Sequence, residues 1–158
     1  MTGKILIALG VAVLLAGVGT GGVVVYQRVR GLRNNNPGNL VITKIKWDGK
    51  VPNEQNTDGK FEQFYKPVMG IRAMIIDVRG DIEKDGLNTI AKLIREYAPE
   101  NENNTAAYIA SVSKQVGIDK DSMLRRDNYF ALVKAIIKHE NGINPYSDDL
   151  IKEAFELS

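Results

Sequence analysis

Apolar residues along the chain follow three different periods. From Ile5 to Tyr26 they run on with no charged residue between Lys4 and Arg28. A run of about 22 such residues makes a helix long enough for roughly 30 Å of hydrocarbon. Residues 1–30 therefore read as a transmembrane anchor, with a cleaved signal peptide as the alternative, because the stretch from Ala16 to Gly22 offers small residues for a peptidase. A second regime, residues 31–66, alternates at Leu40-Val41-Ile42-Thr43-Lys44-Ile45 and again around Phe61 to Tyr65. It is punctuated by Pro37-Gly38, Trp47-Asp48-Gly49 and Asp58-Gly59, a pattern that predicts a small antiparallel sheet. From Gly70 the period becomes helical. Ile71, Met74, Ile75, Val78 and Ile82 share one face up to Asp85-Gly86, and Ile90, Leu93, Ile94 and Tyr97 form a second stripe stopped by Pro99. Three more helices follow: one capped by Asn104 or Thr105, one opened by Asp127 or Asn128, and a last one over residues 147–157. Together these predict a mainly helical α+β domain over residues 31–158 with an N-terminal β element.

Composition narrows the chemistry. The chain has 158 residues and a formal charge of +2. Its Lys and Arg residues are interspersed with acids and form no stripe, so nucleic acid is not an expected partner. It has no Cys and one His, which excludes a disulfide framework and a thiolate or all-histidine zinc centre. Neither a metal nor a cofactor is implied. Within the apolar run, Ala8, Ala12 and Ala16 recur every fourth residue and Gly17 and Gly21 form a small-xxx-small pair. That pattern lets helices approach closely in lipid, so a second copy or another membrane protein is an expected partner there besides membrane lipid.

One acid stands out. Val133, Ile136, Ile137 and Glu140 fall at i, i+3, i+4 and i+7, placing a carboxyl along an apolar stripe at the C-terminal end of a helix. Burial and the negative end of the helix dipole both disfavour its ionisation. A carboxylic acid that stays protonated near neutral pH suits protonation of a glycosidic oxygen. The bland alternative is a Glu at a frayed helix end. His139, about 100° around the helix, is expected to face solvent or to cap the last carbonyls.

The motifs add a resemblance. RNNNPGNL (33–40), Trp47-x-Gly49, Asp58-Gly59-x-Phe61-x-x-Phe64 and Gly70-Ile71-Arg72-Ala73 resemble a family of phage and prophage proteins with an RNNNPGN signature, regarded as lysozyme-like peptidoglycan-degrading domains. Asn39-Leu40, Trp47-x-Gly49, Phe61-x-x-Phe64 and Asn104-Thr105-Ala106-Ala107-Tyr108-Ile109 also stand in the order found in flagellar glucosaminidases and soluble lytic transglycosylases. In those enzymes the helix bearing the catalytic Glu comes first. Here AIIKHENG (135–142) looks like that helix placed last, which suggests a circularly permuted lysozyme-like domain. The resemblance implies Glu140 as catalytic acid, and Tyr108 beside the acid or the sugar. Trp47 would stack on a sugar ring, and Asn35, Asn36 and Asn39 would bind N-acetyl groups and hydroxyls.

The anchor, the acid and the resemblance together imply a membrane-anchored enzyme that cuts the β-1,4 bond after N-acetylmuramic acid in peptidoglycan glycan strands. A lytic transglycosylase needs one acid, whereas a hydrolase often uses a second, for which Asp48, Glu54, Asp58 and Glu62 are candidates. Combined with the anchor, the resemblance suggests a virion protein of a membrane-containing tailless phage, acting in the host periplasm. The principal rival is a structural virion protein whose domain only binds glycan. A pore-forming role for the apolar run ranks last, because it leaves the remaining residues unexplained.

Overall fold

The computed structural model of the chain describes residues 29–99 and 104–158. Its helices are α1 (Arg30–Arg33), α2 (Pro67–Glu83), α3 (Ile90–Tyr97), α4 (Thr105–Val116), α5 (Arg126–Asn141) and α6 (Asp148–Glu156). Their ends follow local chemistry. Pro67 opens α2, where its fixed φ and missing N–H do no harm. The side chains of Thr89, Asn104 and Ser147 accept from the amides of Lys92, Ala107 and Leu150, each supplying an orphan donor of a first turn with a partner. At the head of α5 the backbone N–H of Arg125 donates to Asn128 Oδ1 at 2.9 Å. Gly117 and Gly142 end α4 and α5 in the left-handed conformation.

Helix α5 lies along α4, α4 against α3, α2 along α6, and α1 touches α5. Their apolar faces meet in one core that includes Leu32, Leu40, Ile71, Met74, Ile90, Leu93, Tyr97, Tyr108, Leu132 and Ile136. Each fully buried aliphatic or aromatic side chain there contributes about 1.5–3 kcal/mol from removal of its surface from water.

Two expectations change. The α+β class, with its small antiparallel β element and lysozyme-like architecture, is not what forms: no strand occurs among the described residues. The segment expected to be a sheet carries only isolated antiparallel bridges, Val41 with Phe61 and Lys50 with Phe64. Physically, the short run 61–64 changes partner after one rung, and side chains take many of the amides a ladder would use. Asn36 Oδ1 accepts from the Leu40 amide, Glu62 Oε1 from Thr43, Asp58 Oδ1 from Phe61 and Gln63 Oε1 from Thr57. Gly49 and Gly59 at positive φ, with Pro52 between them, break the extended run further. As for the membrane helix, no helix among the described residues is long and apolar enough to cross a membrane, and the predicted span from Ile5 to Tyr26 lies outside them.

The segment before the Asn run is built into the fold. Gly31 and Leu32 of α1 are buried. Arg30 and Arg33 reach the Asp58 carboxylate at 3.4 and 3.3 Å, and Asn34 Nδ2 donates to the same oxygen at 2.9 Å. Burial pushes the Asp58 carboxyl up, but bonds from Asn34 and the Phe61 amide and the charge of Arg30 outweigh it, so it sits below its ordinary value.

Candidate functional site

Glu140 lies in the last turn of α5, 8% exposed. Tyr108, projecting from α4, donates its hydroxyl to Glu140 Oε1 at 2.8 Å. Asn39, from the turn after α1, donates Nδ2 to Oε2 at 3.1 Å across 101 residues of sequence. Three distant segments of the chain therefore converge on one carboxyl. Burial raises the pKa of Glu140 from 4.5 to about 7, with the bonds from Tyr108 and Asn39 opposing that rise. It is consequently a carboxylic acid for much of the time near neutral pH, the state a general acid requires.

The surroundings fix this geometry. Tyr108 is buried, and its hydroxyl is pushed well above its ordinary range by burial first and by the Glu140 charge second, so it remains a neutral donor. His139, expected to face solvent or to cap the last carbonyls, is half-buried. Its ring lies flat on that of Tyr108, with centroids 3.5 Å apart and planes 6° from parallel, and burial lowers its own basicity. Asn39 is presented by a left-handed backbone at φ 50, one of two such Asn positions with Asn35, a conformation Asn tolerates better than most residues. The next residue along α5, Asn141, donates Nδ2 to Pro37 O at 2.9 Å, tying the helix end to the Asn-rich turn.

The other expected site residues sort differently. Asn36 is fully buried and spends its amide on backbone, donating to Leu40 O and Glu62 O and accepting from the Leu40 amide. Asn35 donates Nδ2 to Phe64 O at 2.9 Å. Both serve the turn rather than Glu140. Trp47 is half-buried against the core edge and is not among the groups bonded to Glu140. Of the candidate second acids, Asp58 is taken by Arg30, Arg33 and Asn34. Glu62 is fully buried and paired with Lys50 Nζ at 2.8 Å. Asp48 is exposed and paired with Arg72 at 2.9 Å, and Glu54 is exposed on a short 3-10 turn.

A second polar cluster has no counterpart among the expected site residues. Asp77 and Asp81 are buried one turn apart on α2, and Tyr97 of α3 donates its hydroxyl to Asp81 Oδ2 at 2.8 Å. Burial holds the Asp81 carboxyl above its ordinary value against that bond. A signal was present: Gly70, Ala73, Asp77 and Asp81 line one edge of the apolar stripe of α2, and acids at i, i+4 on such an edge call for a partner if they are buried. Among the described residues no group of three or more His, Cys, Asp or Glu is placed to hold a metal ion.

A helical domain built around a buried, neutral-range glutamic acid held by a tyrosine and an asparagine is the class that fold and site define. Its kinship is with a phage protein: over 135 residues the chain is 41% identical to Protein P5 of Pseudoalteromonas phage PM2, covering 84% of this chain and 83% of that one. The chain belongs to the family of that phage protein. No family model matches the sequence.

Proposed function

We propose that the chain is a virion-borne lytic enzyme that cleaves the β-1,4 bond between N-acetylmuramic acid and N-acetylglucosamine in peptidoglycan, with Glu140 as its general acid. The observation that carries this reading is the buried Glu140 carboxyl, raised to about 7 and gripped by Tyr108 and Asn39. As the C1–O bond breaks, Glu140 gives its proton to the leaving 4-oxygen. The resulting carboxylate then takes the proton of the muramic 6-hydroxyl as that oxygen closes on C1. A 1,6-anhydro product needs no second protein carboxylate, and Asp58 and Glu62 are committed to ion pairs. This favours a transglycosylase over a hydrolase. Kinship with a phage protein is consistent with breaching a bacterial wall.

A second reading has its own observation. Glu140 is only 8% exposed, while an open groove of about 660 Å³ lies on another face of α4. Ile109, Ser113, Lys114, Arg95 and Lys120 line it, and Glu140 does not. A structural protein whose domain binds glycan without cutting it would look like this. Incubating purified peptidoglycan with the full-length chain and with Glu140→Gln separates the two. Anhydromuropeptides in the first digest alone, seen by mass spectrometry, support the transglycosylase, and reducing ends would mean hydrolysis. Intact sacculi across the pH range with both proteins would refute cleavage.

A further inference from the structure

Around Glu140 two buried oxygens have no hydrogen-bond partner among the described residues: Asn39 Oδ1 and Asn141 Oδ1. Both residues are more than nine-tenths buried. The two oxygens converge on Gly31. The position a Cβ would take on that glycine lies 2.3 Å from Asn141 Oδ1 and 3.1 Å from Asn39 Oδ1, with the Asn36 carbonyl oxygen also at 3.1 Å. Two acceptors without a donor thus crowd one side of the Asn39 carboxamide, beside an Asn36 carbonyl that already accepts from the Asn39 backbone N–H at 2.9 Å, while its donor side faces Glu140. A buried acceptor left unmade costs about 1–3 kcal/mol, so the arrangement suits one charge state of Glu140 and not the other.

A carboxamide has nearly the same shape turned over, so rotating it by 180° exchanges donor and acceptor without repacking. We propose that the Asn39 carboxamide is a proton-linked switch. Toward Glu140 as a carboxylate it donates through Nδ2. Toward Glu140 as a carboxylic acid it turns over, accepts the acid proton at Oδ1 and offers Nδ2 to Asn141 Oδ1. Tyr108 donates to Oε1 in both states, which leaves Oε2 as the oxygen that carries the proton. Both amide oxygens are then partnered in the protonated state, whereas the ionised state leaves both unmade. Asn39 and Asn141 are accordingly positioning residues that hold the acid in its proton-bearing form, and Gly31 is the residue whose lack of a side chain makes room for them.

The ionisable groups facing Glu140 are Tyr108 from α4 and, on α5 itself, His139 stacked on the Tyr108 ring. Tyr97 of α3 is near enough to Tyr108 to raise its hydroxyl further. The α1 side presents Asn39 and Gly31, which do not titrate. Tyr97 and Tyr108 both stay protonated through neutrality. His139, lowered by burial, gains its charge only on the acid side of Glu140.

The switch concerns the carboxyl of the proposed reaction, yet it is read without turnover. In the full-length chain, labelled with nitrogen-15 and carbon-13, the Asn39 side-chain NH2 and the Glu140 carboxyl carbon are followed by NMR against pH. The expected result is a shared midpoint, with NH2 contacts to the Gly31 α-protons gained below it and lost above it. Asn39 protons that keep the same neighbours through the Glu140 titration would overturn the proposal. Asn141→Leu removes the acceptor at similar bulk and is expected to strengthen Glu140 as an acid roughly tenfold; an unmoved midpoint in that folded variant would also overturn it. If it fails to fold, the wild-type contacts decide. If the amide turns over but sacculi stay intact, the lytic reading falls and the switch stands.

Discussion

Replacing Glu140 with Gln is expected to make the protein more stable at alkaline pH while abolishing any proton donation. The magnitude follows from the burial of the carboxyl. In the unfolded chain it titrates at 4.5 and in the native chain at about 7. Between those values the native state keeps a proton that the unfolded state has lost. The resulting stability is full below 4.5 and is lost as pH rises through about 7, a change of roughly 3 kcal/mol over the window. Gln has the same shape, accepts from Tyr108 and carries no charge, so its stability lacks this term. Urea unfolding of both proteins by circular dichroism is expected to show the variant gaining about 2–3 kcal/mol relative to wild type between about pH 5 and pH 8.5. Nearly all of that gain should come before about pH 8. Stability curves that run parallel over the whole range would mean an ordinary Glu140, and the general-acid reading would lose its physical basis.

Three other perturbations test separate joints. Tyr108→Phe removes a donor that favours the carboxylate, so the Glu140 midpoint is expected to rise, and any lytic activity should persist to higher pH; a midpoint that falls refutes the assigned direction of that bond. Lys50→Met strands the fully buried Glu62 carboxyl and is expected to cost about 3–5 kcal/mol, much of it recovered by adding Glu62→Leu; additive losses in the double variant would show that the pair is not coupled. Gly70→Ala places a Cβ 1.7 Å from the Asn35 carbonyl oxygen, which is expected to cost more than about 3 kcal/mol by forcing α2 off the Asn-rich turn; a melting temperature within about a degree of wild type would contradict that close approach.

The helices were legible because burying one face of a helix imposes a 3.6-residue repeat, and capping residues mark where it stops. Observed boundaries differ from expected ones by a few residues, as at α2, which starts at Pro67 before the periodic stripe begins. The sheet failed for an equally physical reason. Period-2 alternation records which side chains turn inward, and it is blind to whether the amides between them find a neighbouring strand or a side-chain oxygen. In residues 40–66, Asn36, Asn56, Asp58 and Glu62 supply those oxygens. Glu62, a candidate second acid from sequence, is the buried half of an ion pair, because a bonded Lys is invisible in a spacing pattern.

The site divides along the same line. Glu140 could be singled out because its offence is local: a carboxyl in register with Val133 and Ile136 must either be neutral or be paired. Its partners could not, since nothing within a helix specifies which distant residue will meet it. Motif order alone points to Asn39 and Tyr108, and a turn of about 100° on α5 leaves His139 half-exposed with one face of its ring against Tyr108 of the packed α4, a contact that spacing within α5 does not specify. Gly31 and Asn141 carried no chemical signal at all. Yet Gly31 decides how closely α1 approaches the end of α5, and with it the distance over which the Asn39 amide can change partners. The Asn-rich stretch is therefore two things in one turn: Asn35 and Asn36 hold backbone together and Asn34 anchors Asp58, while Asn39, set in a left-handed conformation at its end, is the single member aimed at the titrating carboxyl.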